Sequence, residues 1–188
     1  MLLKLSSIFY KMSSWQTILF STLVYAAFLA GVMIPHGAEM QSFAGDWGAP
    51  DGHLFYTPEI LYAHVASWGD LGRQHYIDFR LGLDPFWALT YTAFLVTVIS
   101  VALRRSTASD DRRRILNLLP LAPMLADLTE NILGIIIIAN YPDRLDSLVW
   151  LTASVSGFKW LSLGLAHLFM VYALTLAAMS IARRRHTT

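Results

Sequence analysis

The chain has 188 residues, 55% of them hydrophobic, with 14 lysines and arginines against 13 aspartates and glutamates and no cysteine. That apolar content exceeds what a soluble domain carries, and the missing cysteines exclude disulfides, thiol redox chemistry and thiolate metal centres. A net charge of +1 offers no concentrated basic surface, so nucleic acid is excluded as a partner.

Crossing roughly 30 Å of hydrocarbon takes about 18 or more apolar residues as a helix. Four runs qualify, at about 14–34, 85–103, 115–140 and 148–182. The first is longer than the apolar part of a signal peptide and is followed by Ile-Pro-His-Gly-Ala-Glu-Met, which offers no small-x-small cleavage site, so it is expected to stay as an anchor. No internal repeat or low-complexity stretch divides the chain, and a single domain over 1–188 is expected.

Residues 35–84 form the outer segment. It opens with Gly-rich, turn-forming sequence through Gly52, and then Thr57, Pro58 and Glu59 supply a cap, a first-turn proline and a first-turn acid for a short helix that Gly69 can stop. Leu61, His64, Val65 and Trp68 share one face of it, which suits a helix lying on the membrane surface or on the mouth of a bundle. Asp70 can restart a helix, and Asp84-Pro85 is a second cap-plus-proline pair at the start of the second span. Trp47, Phe55, Tyr56, Tyr62, Trp68, Tyr76, Phe86 and Trp87 give the segment the aromatic character of a headgroup interface.

Orientation follows from the arginines. Lys4 and Lys11 precede the first span, Arg104, Arg105, Arg112, Arg113 and Arg114 fill the loop between spans two and three, and Arg183, Arg184 and Arg185 follow the fourth. The positive-inside rule then predicts an all-α membrane protein, a four-transmembrane-helix bundle with N- and C-termini cytoplasmic and a helical extracytoplasmic cap between spans 1 and 2. The basic clusters set topology and meet anionic lipid. His186 and the two threonines after it read as a tail.

Ionisable residues inside a span cost about 2.5–3.5 kcal/mol each on insertion scales, so each needs a reason. The third span carries Asp127, Glu130 and Asn131 on one stripe with Pro120, Met124 and Gly134, while Ile132, Ile135 and Ile136 lie away from its centre. In the fourth span Lys159 lies as far from the connecting loop as Glu130 does in the third, so antiparallel neighbours bring the two to one depth. Thr152, Ser156, Ser162 and His167 extend that polar face. Tyr25 in the first span and Tyr91 in the second fall near the same height, the latter aligned with Arg80, Asp84 and Trp87. The expected site therefore has Asp127, Glu130 and Lys159 as acid, base and charge partner. Tyr25, Asp84, Trp87, Tyr91, Asn131, Ser156 and His167 surround a ligand.

No metal or other cofactor is expected. On an unbroken helix His64 and His75 lie about 16 Å apart, His36 and His167 sit at different depths and cannot both ligate a haem, and no phosphate loop, nucleophile elbow or His-Glu-x-x-His motif occurs. The pattern Leu-Ala-Asp-Leu-Thr-Glu-Asn, an apolar run, Tyr-Pro, and a lysine in the last span resembles a group of uncharacterised bacterial four-span membrane proteins. The resemblance covers about 54–182, implies a four-helix fold in the bacterial inner membrane with Asp127, Glu130, Asn131 and Lys159 as matching positions, and brings no activity with it.

Three functions fit these residues. The leading one is a buried site that binds a membrane lipid or lipophilic small molecule and can act on it by acid–base chemistry. The others are an interaction subunit that recruits a partner membrane protein or a second copy through its polar stripe, and a proton-coupled carrier.

Overall fold

The computed structural model describes residues 2–109 and 111–185, the last two without side chains; His186 and the threonines after it lie outside the described residues. Eight α-helices follow in order: α1 Leu2–Met12, α2 Trp15–Phe28, α3 Ile34–Ala44, α4 Pro58–Ser67, α5 Gly69–Gly82, α6 Asp84–Ser106, α7 Leu121–Ala139 and α8 Asp146–Arg185. A 3-10 turn, Arg112–Leu118, leads into α7, and there is no strand among the described residues. Four helical stretches are long and apolar enough to cross a membrane: Trp15–Trp47, Asp84–Ser106, Arg112–Ala139 and Asp146–Arg183.

The first of these runs well past its expected end. Instead of breaking at Pro35, the helix widens into a π-helical turn over Leu29–Met33, where the Ile34 N–H reaches back five residues to the Leu29 carbonyl, and then continues as α3 with Pro35 in its first turn. A proline normally clashes with the carbonyl four residues before it; a widened turn relieves that clash, and Pro35 then sits where its missing N–H costs least. Residues 35–44, expected as turn-forming loop, are therefore helix, and irregular backbone is confined to 45–57. Gly45 and Gly48 supply positive φ there.

The described residues form two compact units: those within 2–25, 90–122 and 162–185 in one, 26–89 and 123–161 in the other. In the first, Asn117 is fully buried, accepts from the Ser6 hydroxyl at 2.7 Å, and donates to the Ser6 carbonyl and Ser100 Oγ. Arg104 donates to the Tyr10 and Ser13 carbonyls, and Tyr10 to the Arg114 carbonyl, so α1 is tied to the arginine-rich turn. Ala102, Ala173 and Ala177 pack with Ile99 and Leu103, the small side chains letting α6 and α8 come close.

In the second unit α4 starts as expected, with Thr57 Oγ1 accepting from the Ile60 N–H at 3.3 Å, and it ends where Gly69 takes φ of 65°. Leu61, Val65 and Trp68 are buried, and they face not a membrane surface but a core with Met40, Tyr76, Ile137, Val149 and Ala153. α5 crosses α3 at Gly72, where an added Cβ would lie 2.8 Å from the Phe43 Cβ and 2.9 Å from the Trp68 Cβ. Both are fixed to backbone and cannot rotate away. Gly72→Ala is therefore expected to destabilise the protein by about 1–3 kcal/mol despite the better helix propensity of alanine, read as a lower thermal midpoint in detergent. An unchanged midpoint would mean that α3 and α5 part without cost.

Candidate functional site

The site lies within the second unit and begins with α7. Asp127, Glu130, Asn131 and Gly134 are buried on one face, whereas Ile132 and Ile136 are exposed, as the stripe pattern requires. From α8, the Lys159 Nζ lies 2.6 Å from Glu130 Oε2 and 3.5 Å from Asp127 Oδ1. The equal-depth expectation for Glu130 and Lys159 holds, and all three side chains are at most 6% exposed.

A second cation was not foreseen in this role. Arg80, near the end of α5, has a side chain only 1% exposed and donates through Nη1 to Asp84 Oδ2 and to Asn131 Oδ1, both at 2.8 Å. Its Nη2 is paired with Asp51, and the Tyr76 ring lies beneath the guanidinium. Arg80 thus joins α5, α6 and α7 to the irregular segment before α4.

Asp51 connects the two cations. Its carboxylate pairs with Arg80, while its carbonyl accepts from Lys159 Nζ at 3.3 Å and from Trp160 Nε1 at 2.8 Å. One turn along α8, Ser156 Oγ donates to the His53 carbonyl at 2.9 Å, and Gly157 lets the Leu54 carbonyl approach to 3.0 Å of where a Cβ would stand. Residues 51–54 are thereby laid along α8 down to Lys159, 13 residues or about 20 Å from its start at Asp146. No periodicity marks such a segment in sequence; the only available sign was an aspartate among turn-forming residues.

The network holds Asp51, Asp84, Asp127 and Glu130 against Arg80 and Lys159, a formal charge of −2 with all six ionised. Positive charge, as protons on the carboxyls or a cation, must balance that excess in so buried a place. Burial would raise the Asp51 carboxyl, but the charges of Arg80 and Lys159 and the Arg80 hydrogen bond hold it at about 2. Burial pushes the Tyr56 and Tyr76 hydroxyls well above the usual phenol range, so both remain neutral donors. Glu130 Oε1 and Asn131 Nδ2 are buried with no hydrogen-bond partner among the described residues, and each is an atom that a ligand group could satisfy.

A cleft of about 290 Å³ reaches the network at Asp51 and Arg80, with Met33, Met40, Phe79 and Trp47 as apolar walls and His36 and His53 beside them. It is lined by neither Glu130 nor Tyr91, where the sequence placed the ligand. Of the other expected positions, Asp84, Asn131 and Ser156 are in the network or against its backbone, and Trp87 stacks on Phe28. Tyr25, Tyr91 and His167 belong to the other unit: Tyr25 stacks on Phe94, Tyr91 is buried, and His167 bonds the Leu163 carbonyl of its own helix. Among the described residues no group of three or more metal-ligating side chains is close enough to hold a metal ion. Compared with protein-family models, curated proteins and solved structures, the chain matches none.

Two outcomes follow. Lys159→Met keeps the length of the side chain but leaves two buried acids without their amine, and should cost about 3–5 kcal/mol; adding Glu130→Gln should recover part of it. Denaturation in detergent measures both, and a Lys159→Met protein as stable as the parent would show that the pair carries no net energy. Because folding lowers the Asp51 carboxyl from 3.8 to about 2, its contribution is present above about pH 4 and is lost as pH falls toward about 2. The parent's thermal midpoint should fall more steeply across that window than that of Asp51→Asn.

Proposed function

We propose that this chain is a multi-pass protein of the bacterial inner membrane, of the four-span kind its Asp-x-x-Glu-Asn segment resembles, that binds a lipophilic small molecule or lipid. In this reading the termini are cytoplasmic and the cap between spans 1 and 2, expected over 35–84, enters from the opposite side, with residues 51–54 reaching down along α8 to Lys159, in keeping with the arginine distribution. The ligand's apolar body occupies the cleft against Met33, Met40, Phe79 and Trp47, and its polar head meets Asp51 and Arg80. Glu130 and Asp127, with Lys159 as their charge partner, hold the protons that balance the network, and they are the groups available for acid–base chemistry should the head reach them.

The observation that carries this reading is the junction at Asp51, where a cleft with apolar walls ends on a buried network of four acids and two bases. The burial of Glu130 and Asn131, at 1% and 3% exposure, speaks against the interaction-subunit alternative, in which those side chains point outward to a partner helix.

Gly37 provides the test. It lines the cleft, and a Cβ added there meets nothing within 4 Å, so Gly37→Leu adds bulk at the cleft's edge without strain in the helix. Native mass spectrometry of protein extracted in mild detergent should show a retained lipid-like mass that Gly37→Leu loses while its thermal midpoint stays level or rises. A parent protein that carries no such mass, or a mass that persists in the variant, would sink the proposal.

A further inference from the structure

The first unit holds a polar cleft of its own, about 320 Å³, lined by Ser106, Arg113, Leu176, Met179, Ser180 and Arg183. Ser106 ends α6, and Arg183 ends the membrane-crossing stretch of α8. The cleft therefore lies where two spans stop, at the level at which a bilayer has its phosphates. We propose that it is a binding site for an anionic phospholipid, with the lipid's phosphodiester between Arg113 and Arg183.

The order of side chains along α8 carries the argument. Arg183, Ser180, Met179, Leu176 and Tyr172 follow at three- and four-residue spacing on one face, running from charge through hydroxyl to apolar. A phospholipid presents the same order: phosphate, glycerol oxygens, acyl chain. From Arg183 to Tyr172 is 11 residues, about 16 Å, close to the hydrocarbon depth of one leaflet, which is about 15 Å. Met179 and Tyr172 are 48% and 45% exposed, so the track is open along its length.

The charge has the right sign and is held in place. Segments 104–114 and 183–185 contain eight arginines against two aspartates. Asp111 grips Arg113 through Nε and Nη2 at 3.0 and 2.6 Å, which orients the guanidinium at the cleft before any ligand arrives. Ser106 and Ser180 donate their hydroxyl protons to the Ala102 and Arg105 carbonyls. Their oxygens thus accept rather than donate, which suits glycerol hydroxyls below the phosphate. A free phosphate would use the arginines but has no part to lay on Leu176 and Met179.

Native mass spectrometry of the full chain, titrated with phosphatidylglycerol or with phosphatidylcholine of the same acyl chains, tests the site without reference to the other cleft. The first bound lipid should favour phosphatidylglycerol, and each of Arg113→Gln and Arg183→Gln should reduce that preference by about fivefold. Ser180→Glu leaves both arginines in place but sets a carboxylate between them, and it should abolish the preference even if an arginine variant fails to fold. Arg104→Gln should leave the preference intact, because Arg104 is committed to the Tyr10 and Ser13 carbonyls. Equal binding of the two lipids, an equal loss in Arg104→Gln, or displacement of phosphatidylglycerol by millimolar inorganic phosphate would overturn the assignment.

Discussion

The placement of one amine governs the second unit. Lys159 sits 2.6 Å from Glu130 and 3.5 Å from Asp127 with its side chain 5% exposed, so its charge has no bulk water to fall back on. Removing two ions from water costs several kcal/mol apiece, and their mutual attraction seldom returns more than that. What such a pair secures is register: one helical turn of slip along α8 would move the amine about 5.4 Å and leave both acids and the amine unsatisfied. The α7–α8 pairing is therefore fixed more sharply than by the isoleucines around it, whose packing would tolerate a shift.

The same constraint explains how irregular backbone can lie beside α8. Away from water, backbone carbonyls and amides outside helices must find partners in the protein. The segment 45–57 does so locally and through α8. The Gly48 and Gly52 amides bond the Gly45 and Ala49 carbonyls, and His53 Nε2 bonds the Trp47 carbonyl. Ser156, Lys159 and Trp160 then take the His53 and Asp51 carbonyls. Lys159 thus performs two tasks, neutralising α7 and holding the segment. That coupling puts Asp51 next to Arg80, and the cleft ends there as a result.

What could be read beforehand, and what could not, divides along physical lines. The Glu130–Lys159 contact was legible because helices joined by a short loop must run antiparallel and rise at a fixed 1.5 Å per residue, which turns sequence position into depth. The buried stripe of α7 was legible for a similar reason, since periodicity maps onto a face. The continuation of the first helix past residue 34 was missed because the apolar run ends there and the Gly-rich sequence that follows reads as turn, while the widened turn at Leu29–Met33 has no mark in composition. Asp51 was hidden because irregular segments have no period from which a direction can be inferred. Tyr25 and Tyr91 were expected beside the network from counting along their helices, but such a count fixes neither the face nor the neighbours of a side chain, and they belong to the other unit.

The separation of cleft from charge excess bears on the kind of head group the proposed ligand carries. The two acids that share Lys159 are not among the residues lining the cleft; of the network only Asp51 and Arg80 line it, with exposed Asp46 as a further acid on the wall. Asp51 is the more open of the two, at 23% side-chain exposure against 1%. A cationic head would meet a carboxylate already committed to Arg80, and an anionic head would have to displace that carboxylate from the guanidinium, leaving Asp51 buried without its partner at a cost of about 3–5 kcal/mol. A neutral head that both donates and accepts hydrogen bonds, such as a hydroxyl or an amide, can bond the Asp51 oxygens and the imidazole of His36 without breaking the pair. If the cleft holds a ligand as proposed, an uncharged polar head on an apolar body is the combination its walls and its floor accommodate together.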